Sequence, residues 1–180
     1  FNFINDTVPV AGVIRTPNVM VVTASLPVKN VEEFIAYCKA NPTKVNMASS
    51  GSGSSIHLSG ELFKIMTGCK MAHIPYKGAG PALNDLIAGQ VQVMFDNLPS
   101  AMGQIKAGTI KPLAVTTLKR SKALPTVPTM DESGFKGFDV SAWFGIAAPA
   151  NVGGEVKARL EAALAKIASQ ADLASTMENQ

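Results

Sequence analysis

The run Ser49-Ser50-Gly51-Ser52-Gly53-Ser54-Ser55 is the part of this sequence best suited to chemistry. It follows a short strand-like run, Val45 to Ala48, and precedes residues at helical spacing. A loop that leaves a strand and enters a helix exposes the helix's first N–H groups and the positive end of its dipole, and glycines let an anion approach the backbone. The segment therefore reads as an anion cradle, with a plain capping loop as the alternative. What the loop lacks narrows the anion. A Walker loop needs G-x-x-x-x-G-K-[ST], and no lysine follows these glycines. A dinucleotide fingerprint needs a third glycine where Ile56 stands, and an acidic residue at the end of the next strand. A hydrolase elbow needs G-x-S-x-G, whereas Gly51 and Gly53 are only two apart.

His57, just inside the following helix, supports the loop or contacts a ligand, with a catalytic base as the third reading. His73, between apolar neighbours in a strand, reads as a satisfied core or inter-strand group. Two more joints have the same strand-to-helix character. Tyr76-Lys77-Gly78-Ala79-Gly80 offers a phenol, a cation and permissive backbone, and Asp96-Asn97 offers a carboxylate and an amide. Each either lines a cleft or is a turn with local hydrogen bonds. No catalytic triad can be assembled from these residues.

These joints require an α/β frame. Val31, Phe34, Ile35 and Cys38 fall on one helical face, with Asn30 as cap, Glu33 completing a capping box and Asn41-Pro42 as stop. Leu58, Leu62, Ile65 and Met66 make a second stripe, closed by Gly68. Met71–Pro75 reads as a strand, and a third helix begins at Pro81 and ends at Gly89. Val91, Val93 and Phe95 mark a strand and Pro99 begins a fourth helix. Ile110–Thr116 is strand-like, with Pro112 confining it to an edge or a strand start. Such alternation predicts βαβ units on a mostly parallel sheet, with all three joints at the carboxyl edge where ligands of open α/β sheets bind. Val10–Ile14 is a further strand. Beyond Thr117 prolines and glycines break the chain into turns, then Val140–Ala148 is strand-like and Val156, Leu160, Ala163, Leu164 and Ile167 share a helical face.

The 180 residues, 47% hydrophobic and 16% charged, are enough for a self-supporting core and exclude intrinsic disorder. The longest stretch without Asp, Glu, Lys or Arg is Val45–Gly60, which is too short and too polar for a transmembrane helix. A net charge of +3 with scattered lysines does not suggest nucleic acid. Cys38 and Cys69 fit no metal spacing; an unpaired buried pair is the default reading and one disulfide the minority alternative. The chain opens on Phe1 in mid-pattern and a helical stripe runs toward its end, so a piece of a longer polypeptide is expected.

Several segments, taken in order, resemble the Bug family of TctC-like extracytoplasmic solute receptors of tripartite tricarboxylate transporters. They are Pro17-Asn18-Val19-Met20-Val21-Val22, Ala48 to Ser54, His57-Leu58-Ser59-Gly60-Glu61-Leu62-Phe63, Pro75-Tyr76-Lys77-Gly78, Gly89 to Asn97, Leu113-Ala114-Val115-Thr116 and Trp143-Phe144-Gly145. The resemblance implies a periplasmic-binding-protein-like fold of two lobes with mostly parallel sheets. Residues 18–117 would be the complete second lobe, and 1–17 with 118–180 part of the first. It further implies a protein that is not an enzyme, uses no metal or organic cofactor, and closes between lobes on a small carboxylate (a di- or tricarboxylate, acidic amino acid or aromatic acid). Delivery would be to membrane permease subunits from the periplasm, with no nucleic acid partner and no membrane insertion of its own. The family's carboxylate loop maps onto Ser49–Ser55. With the neighbouring joints, the candidate ligand-binding residues are Ser49, Ser50, Gly51, Ser52, Gly53, Ser54, Ser55, His57, Tyr76, Lys77, Gly78 and Asp96. The rival readings are an α/β enzyme using the same anion loop, and a ligand-sensing module for a signalling partner.

Overall fold

The computed structural model describes residues 2–170 and 173. Its elements in chain order are α1 (Phe3–Asp6), β1 (Thr7–Thr23), α2 (Val31–Ala40), β2 (Asn46–Ser49), α3 (Ser55–Thr67), β3 (Ala72–Pro75), α4 (Ala79–Ile87), β4 (Val93–Asn97), α5 (Leu98–Lys106), β5 (Ile110–Val115), β6 (Ser141–Pro149) and α6 (Gly154–Ala168). The chain forms two compact units, Thr16–Ala142 and a smaller one of Phe1–Arg15 with Trp143–Gln180.

In the larger unit the strand order is β3-β2-β4-β1-β5. Strand β2 is parallel to β3 and β4, while β1 is antiparallel to both β4 and β5. Four strands thus share one direction and β1 alone opposes them. The carboxyl ends of β2, β3, β4 and β5 lie at one edge. Because Asn18 pairs with Asn97, the start of β1's course through this unit lies at that edge as well.

Alternation along the strands sends residues to two cores. Met20, Val22, Met47, Val93 and Phe95 meet Phe34, Cys38, Phe63, Met130 and Phe138 on one face, and Val19, Val21, Ala48 and Met94 meet Ile56, Leu86, Ala101 and Val115 on the other. A sheet covered on both faces explains why Met94 is as buried as its neighbours Val93 and Phe95. Helix α3 lies close to β2 because residue 60 is glycine: a Cβ there would meet Met47 Sδ at 1.9 Å.

Most local expectations hold, with instructive differences. Asn30 caps α2 by accepting from the Glu33 N–H at 2.8 Å, but the Glu33 carboxylate reaches back to the Lys29 N–H, one residue beyond a capping box. Gly68 closes α3 in the left-handed region at φ 71°. Pro81 occupies the third position of α4 instead of the first, still within the turn whose N–H groups have no intrahelical acceptor. Pro112 lies on edge strand β5, where the register against β1 shifts between Met20 and Val21. Strand β1 is far longer than Val10–Ile14, and Pro9 and Pro17 lie inside it. Residues 118–142 also belong with this unit: Val127, Met130 and Phe138 are buried in its cores, and Thr129 bridges Val115.

In the smaller unit β6 pairs with β1. Helix α6 buries none of its residues. Two apolar concavities of about 430 and 390 Å³ remain, one lined by Val10, Val13, Leu164 and Ile167 and the other by Phe3, Ile4, Trp143 and Ile146.

Candidate functional site

Three β-to-α joints open at the shared carboxyl edge of the larger unit. The β2–α3 joint is the Ser/Gly loop, whose half-buried and exposed residues Ser50, Gly51, Ser52, Gly53, Ser54 and Ser55 form a rim. Gly53 sits at φ 82°, a conformation that strains any residue with a Cβ. Ser54 caps α3, accepting from the His57 N–H at 3.3 Å and donating its hydroxyl to the Gly51 carbonyl at 2.8 Å. The N–H groups of Ser55 and Ile56 have no intrahelical acceptor. The N-termini of α4, after Gly78, and α5, after Asn97, have no side-chain cap. The Ala79, Gly80 and Leu98 N–H groups there lack intrahelical acceptors in the same way, so the positive ends of three helix dipoles share one sheet edge.

Beneath the rim the loop is braced by two histidines. The His57 and His73 rings stack with centroids 3.9 Å apart and 15° between planes. His57 Nδ1 accepts from the Gly53 N–H at 3.0 Å, so its ring proton is on Nε2, 3.5 Å from Glu61 Oε1. His73 Nε2 shares a 2.6 Å hydrogen bond with Ser49 Oγ. Burial, then the neighbouring His57, pull the His73 pKa below the ordinary imidazole value. A serine and a neutral histidine at that distance have the geometry of an activated nucleophile. Ser49, however, is fully buried, and its oxygen also accepts from the Gly51 N–H. The pair holds the loop's shape and is closed to substrate.

The remaining candidates are placed less simply. The Tyr76 hydroxyl donates to Asp85 Oδ2 on α4 at 2.6 Å, and burial, then Asp85, push its pKa up to about 12. Its phenol is therefore committed to α4, and what it brings to the loop is backbone: its N–H donates to the Ser49 carbonyl at 2.9 Å. Lys77 is exposed beside this joint, and the Gly78 N–H donates to the Ser50 carbonyl at 3.1 Å. Asp96 is at the expected edge but does not line an open surface. It is wholly buried, with Oδ2 accepting from the Ser100 hydroxyl at 2.6 Å and Oδ1 without a partner among the described residues. Burial, only partly offset by Ser100 and the Asn97 backbone, pushes its pKa up to about 6.

Two asparagines join the site: Asn97, whose amide the Asp96-Asn97 joint offered, and Asn18, which was not singled out. Asn18 Nδ2 donates to Ser55 Oγ at 3.3 Å and to the Phe95 carbonyl at 2.8 Å, and Ser55 Oγ donates to Asn97 Oδ1 at 3.3 Å. They tie the first residue of α3 to β1 and β4. The available signal was a polar residue heading the apolar run Val19 to Val22, since a buried amide requires partners. Among the described residues no group of three or more metal-ligating side chains assembles, and no helix is long and apolar enough to cross a membrane.

The whole chain, residues 1–180, matches the family model described as TctC, tripartite tricarboxylate transporter family receptor. Protein BugT of Bordetella pertussis is 40% identical over 149 residues, covering 83% of this chain and 46% of that protein. The structure of R. palustris Rpa4515 with adipate is 38% identical with a TM-score of 0.95, covering 99% of this chain and 60% of that one. MatC from Rhodopseudomonas palustris with bound malate is 30% identical with a TM-score of 0.91, covering 96% and 59%. The chain thus spans about half the length of the curated relatives it matches and about three fifths of the solved structures.

Proposed function

Since this chain belongs to the TctC family of tripartite tricarboxylate transporter receptors, we propose that its three-helix edge holds a carboxylate group of a small aliphatic di- or tricarboxylate. The parent protein captures that solute in the periplasm and hands it to membrane permease subunits. The observation that carries the reading is the convergence of the α3, α4 and α5 N-termini on one sheet edge, two of them without side-chain caps. Backbone donors and dipoles can hold a carboxylate without a buried countercharge. The rim residues Ser50 to Ser55 supply amides and hydroxyls, and Gly51 and Gly53 admit the ligand to the backbone. Ser49, His57 and His73 fix the loop, Gly78 opens α4, and Lys77 adds a solvated positive charge. Adipate and malate on two similar proteins support a dicarboxylate as solute. The enzyme alternative is disfavoured because Ser49, the serine that shares a hydrogen bond with His73 at this edge, is fully buried and its oxygen is already engaged by the loop backbone.

The test is calorimetry on the full-length protein with succinate, malate and adipate against the matching diamides. At least one dicarboxylate is expected to bind and no diamide to do so. Loss of two charge-assisted hydrogen bonds, about 1.5–3 kcal/mol each, weakens binding by roughly two to four powers of ten. Gly53→Val, which crowds the rim, is expected to show that loss with the circular dichroism spectrum retained. Equal binding of acids and amides, or undiminished affinity in Gly53→Val, would overturn the assignment.

A further inference from the structure

Cys38 and Cys69 are the only two cysteines of the chain, and neither is part of the site described above. Cys38 lies on α2, and Cys69 directly follows the Gly68 cap of α3. Separated by 31 positions in sequence, both are buried in the same core, at 0% and 3% exposure. The two thiols are close enough that Cys69 helps push the Cys38 pKa up. The Cys38 thiol also donates to the carbonyl of Lys70, the residue after Cys69, at 3.5 Å. We propose that Cys38 and Cys69 form a disulfide in the mature protein, stapling the end of α2 to the end of α3.

The inference rests on the export proposed above, because disulfides persist in the periplasm and not in a reducing cytosol. Each thiol loses a proton and the pair loses two electrons as the S–S bond forms. The oxidant is a thiol–disulfide exchange partner, whose own disulfide takes up the two electrons and two protons to become two thiols. Burial first, and the neighbouring Cys69 next, push the Cys38 thiol up to about 12. Cys38 therefore offers almost no thiolate for exchange in the folded protein, and both sulfurs are buried away from a partner. The bond must form while α2 and α3 are still exposed, during folding after translocation, and once formed it is shielded from reductants.

Trypsin cleaves after Lys29, Lys39, Lys64 and Lys70 and so isolates each cysteine, in the peptides Asn30–Lys39 and Ile65–Lys70. The full-length protein is expressed with its own leader, fractionated by osmotic shock, alkylated with iodoacetamide under denaturing non-reducing conditions and digested. The expected product is the two peptides joined, two hydrogens lighter than their sum, with neither alkylated. Reducing the bond should lower the denaturation midpoint by roughly 10 °C. Two alkylated peptides from the periplasmic fraction, or either cysteine joined to glutathione instead of its neighbour, overturn the disulfide and leave the export standing. Recovery of the protein in the cytoplasmic fraction overturns the export and the disulfide with it. As a readout independent of export, reduced protein refolded from urea in a glutathione redox buffer should give the same joined peptides. Native reduced protein placed in that buffer should form them far more slowly. Failure of the refolded sample to form the bond also overturns the proposal.

Discussion

Phe63 and Trp143 show how differently the two units treat apolar residues. Phe63 in the larger unit is fully buried, its ring 5.9, 5.5 and 6.0 Å from those of Phe34, Phe95 and Phe135. Trp143 in the smaller unit is 74% exposed, with Phe144, Ile146, Val156 and Ile167 also open to solvent. Both units have strands and amphipathic helices, so composition does not separate them. The difference lies in layers: the larger unit has helices on both faces of its sheet, while the smaller has one strand pair with the short α1 and the helix α6, neither of which buries a residue. An apolar stripe specifies which face must be covered, and only a second layer makes it a core.

If that contrast is sound, truncating Phe63 should have the largest effect. Phe63→Ala is expected to cost about 3–5 kcal/mol in urea unfolding, whereas Leu160→Ala on α6 should stay within about 0.5 kcal/mol. A Leu160→Ala cost near that of Phe63→Ala would show that the smaller unit has a core after all.

The buried carboxyl of Asp96 sharpens the comparison by its pH dependence. Its folded pKa of about 6 lies above the ordinary 3.8, so the folded protein binds the proton more tightly than the unfolded chain. Its contribution is therefore most favourable below about pH 3.8, declines through the window up to about 6 and is flat above. At about 1.4 kcal/mol per pH unit the decline amounts to roughly 3 kcal/mol. Asp96→Asn should equal the parent near pH 3.5 and exceed it in stability at pH 7. Urea midpoints of the two proteins that differ equally at both pH values would mean that the carboxyl is solvated.

Helix starts give the two smaller effects. Ser54→Ala removes the cap of α3 and should cost about 1 kcal/mol, accompanied by faster amide exchange at His57. Helix α6 begins after Gly153, which supplies no side-chain cap although its φ of −60° and ψ of 141° suit one. Gly153→Asp should gain a few tenths of a kcal/mol, read as slower amide exchange in the first turn of α6. No change at Gly153→Asp would mean that its exposed start is already well solvated.

What could be read from the residues is what neighbouring residues decide. Asn30 before an apolar stripe, Gly68 after one, and serines and glycines between a strand and a helix all act within one turn of chain, and all three appear where expected. Strand direction does not act locally. The apolar run Val19 to Val22 has the same pattern whether it runs with or against its neighbours, so nothing in it disclosed that β1 is reversed and brings Asn18 to the carboxyl edge of the other strands. The depth of Asp96 likewise depends on α5 folding Ser100 over it, and the stacking of His57 on His73 on the packing of α3 over β2, next to which β3 pairs. The turns from Thr117 onward carried no periodicity to show that Met130 and Phe138 fill the larger unit's core.

Trp143 is the only tryptophan, and both tyrosines, Tyr37 and Tyr76, lie in the larger unit. The molecule is thus divided spectroscopically along the line that divides it structurally. Because the indole already faces water, its emission should change little when this chain is denatured and should shift to the blue only when another surface closes over that face. Tyrosine emission, in contrast, should follow the melting of the larger unit. The two colours report separate events: one the integrity of a finished core, the other the arrival of whatever an unfinished face receives.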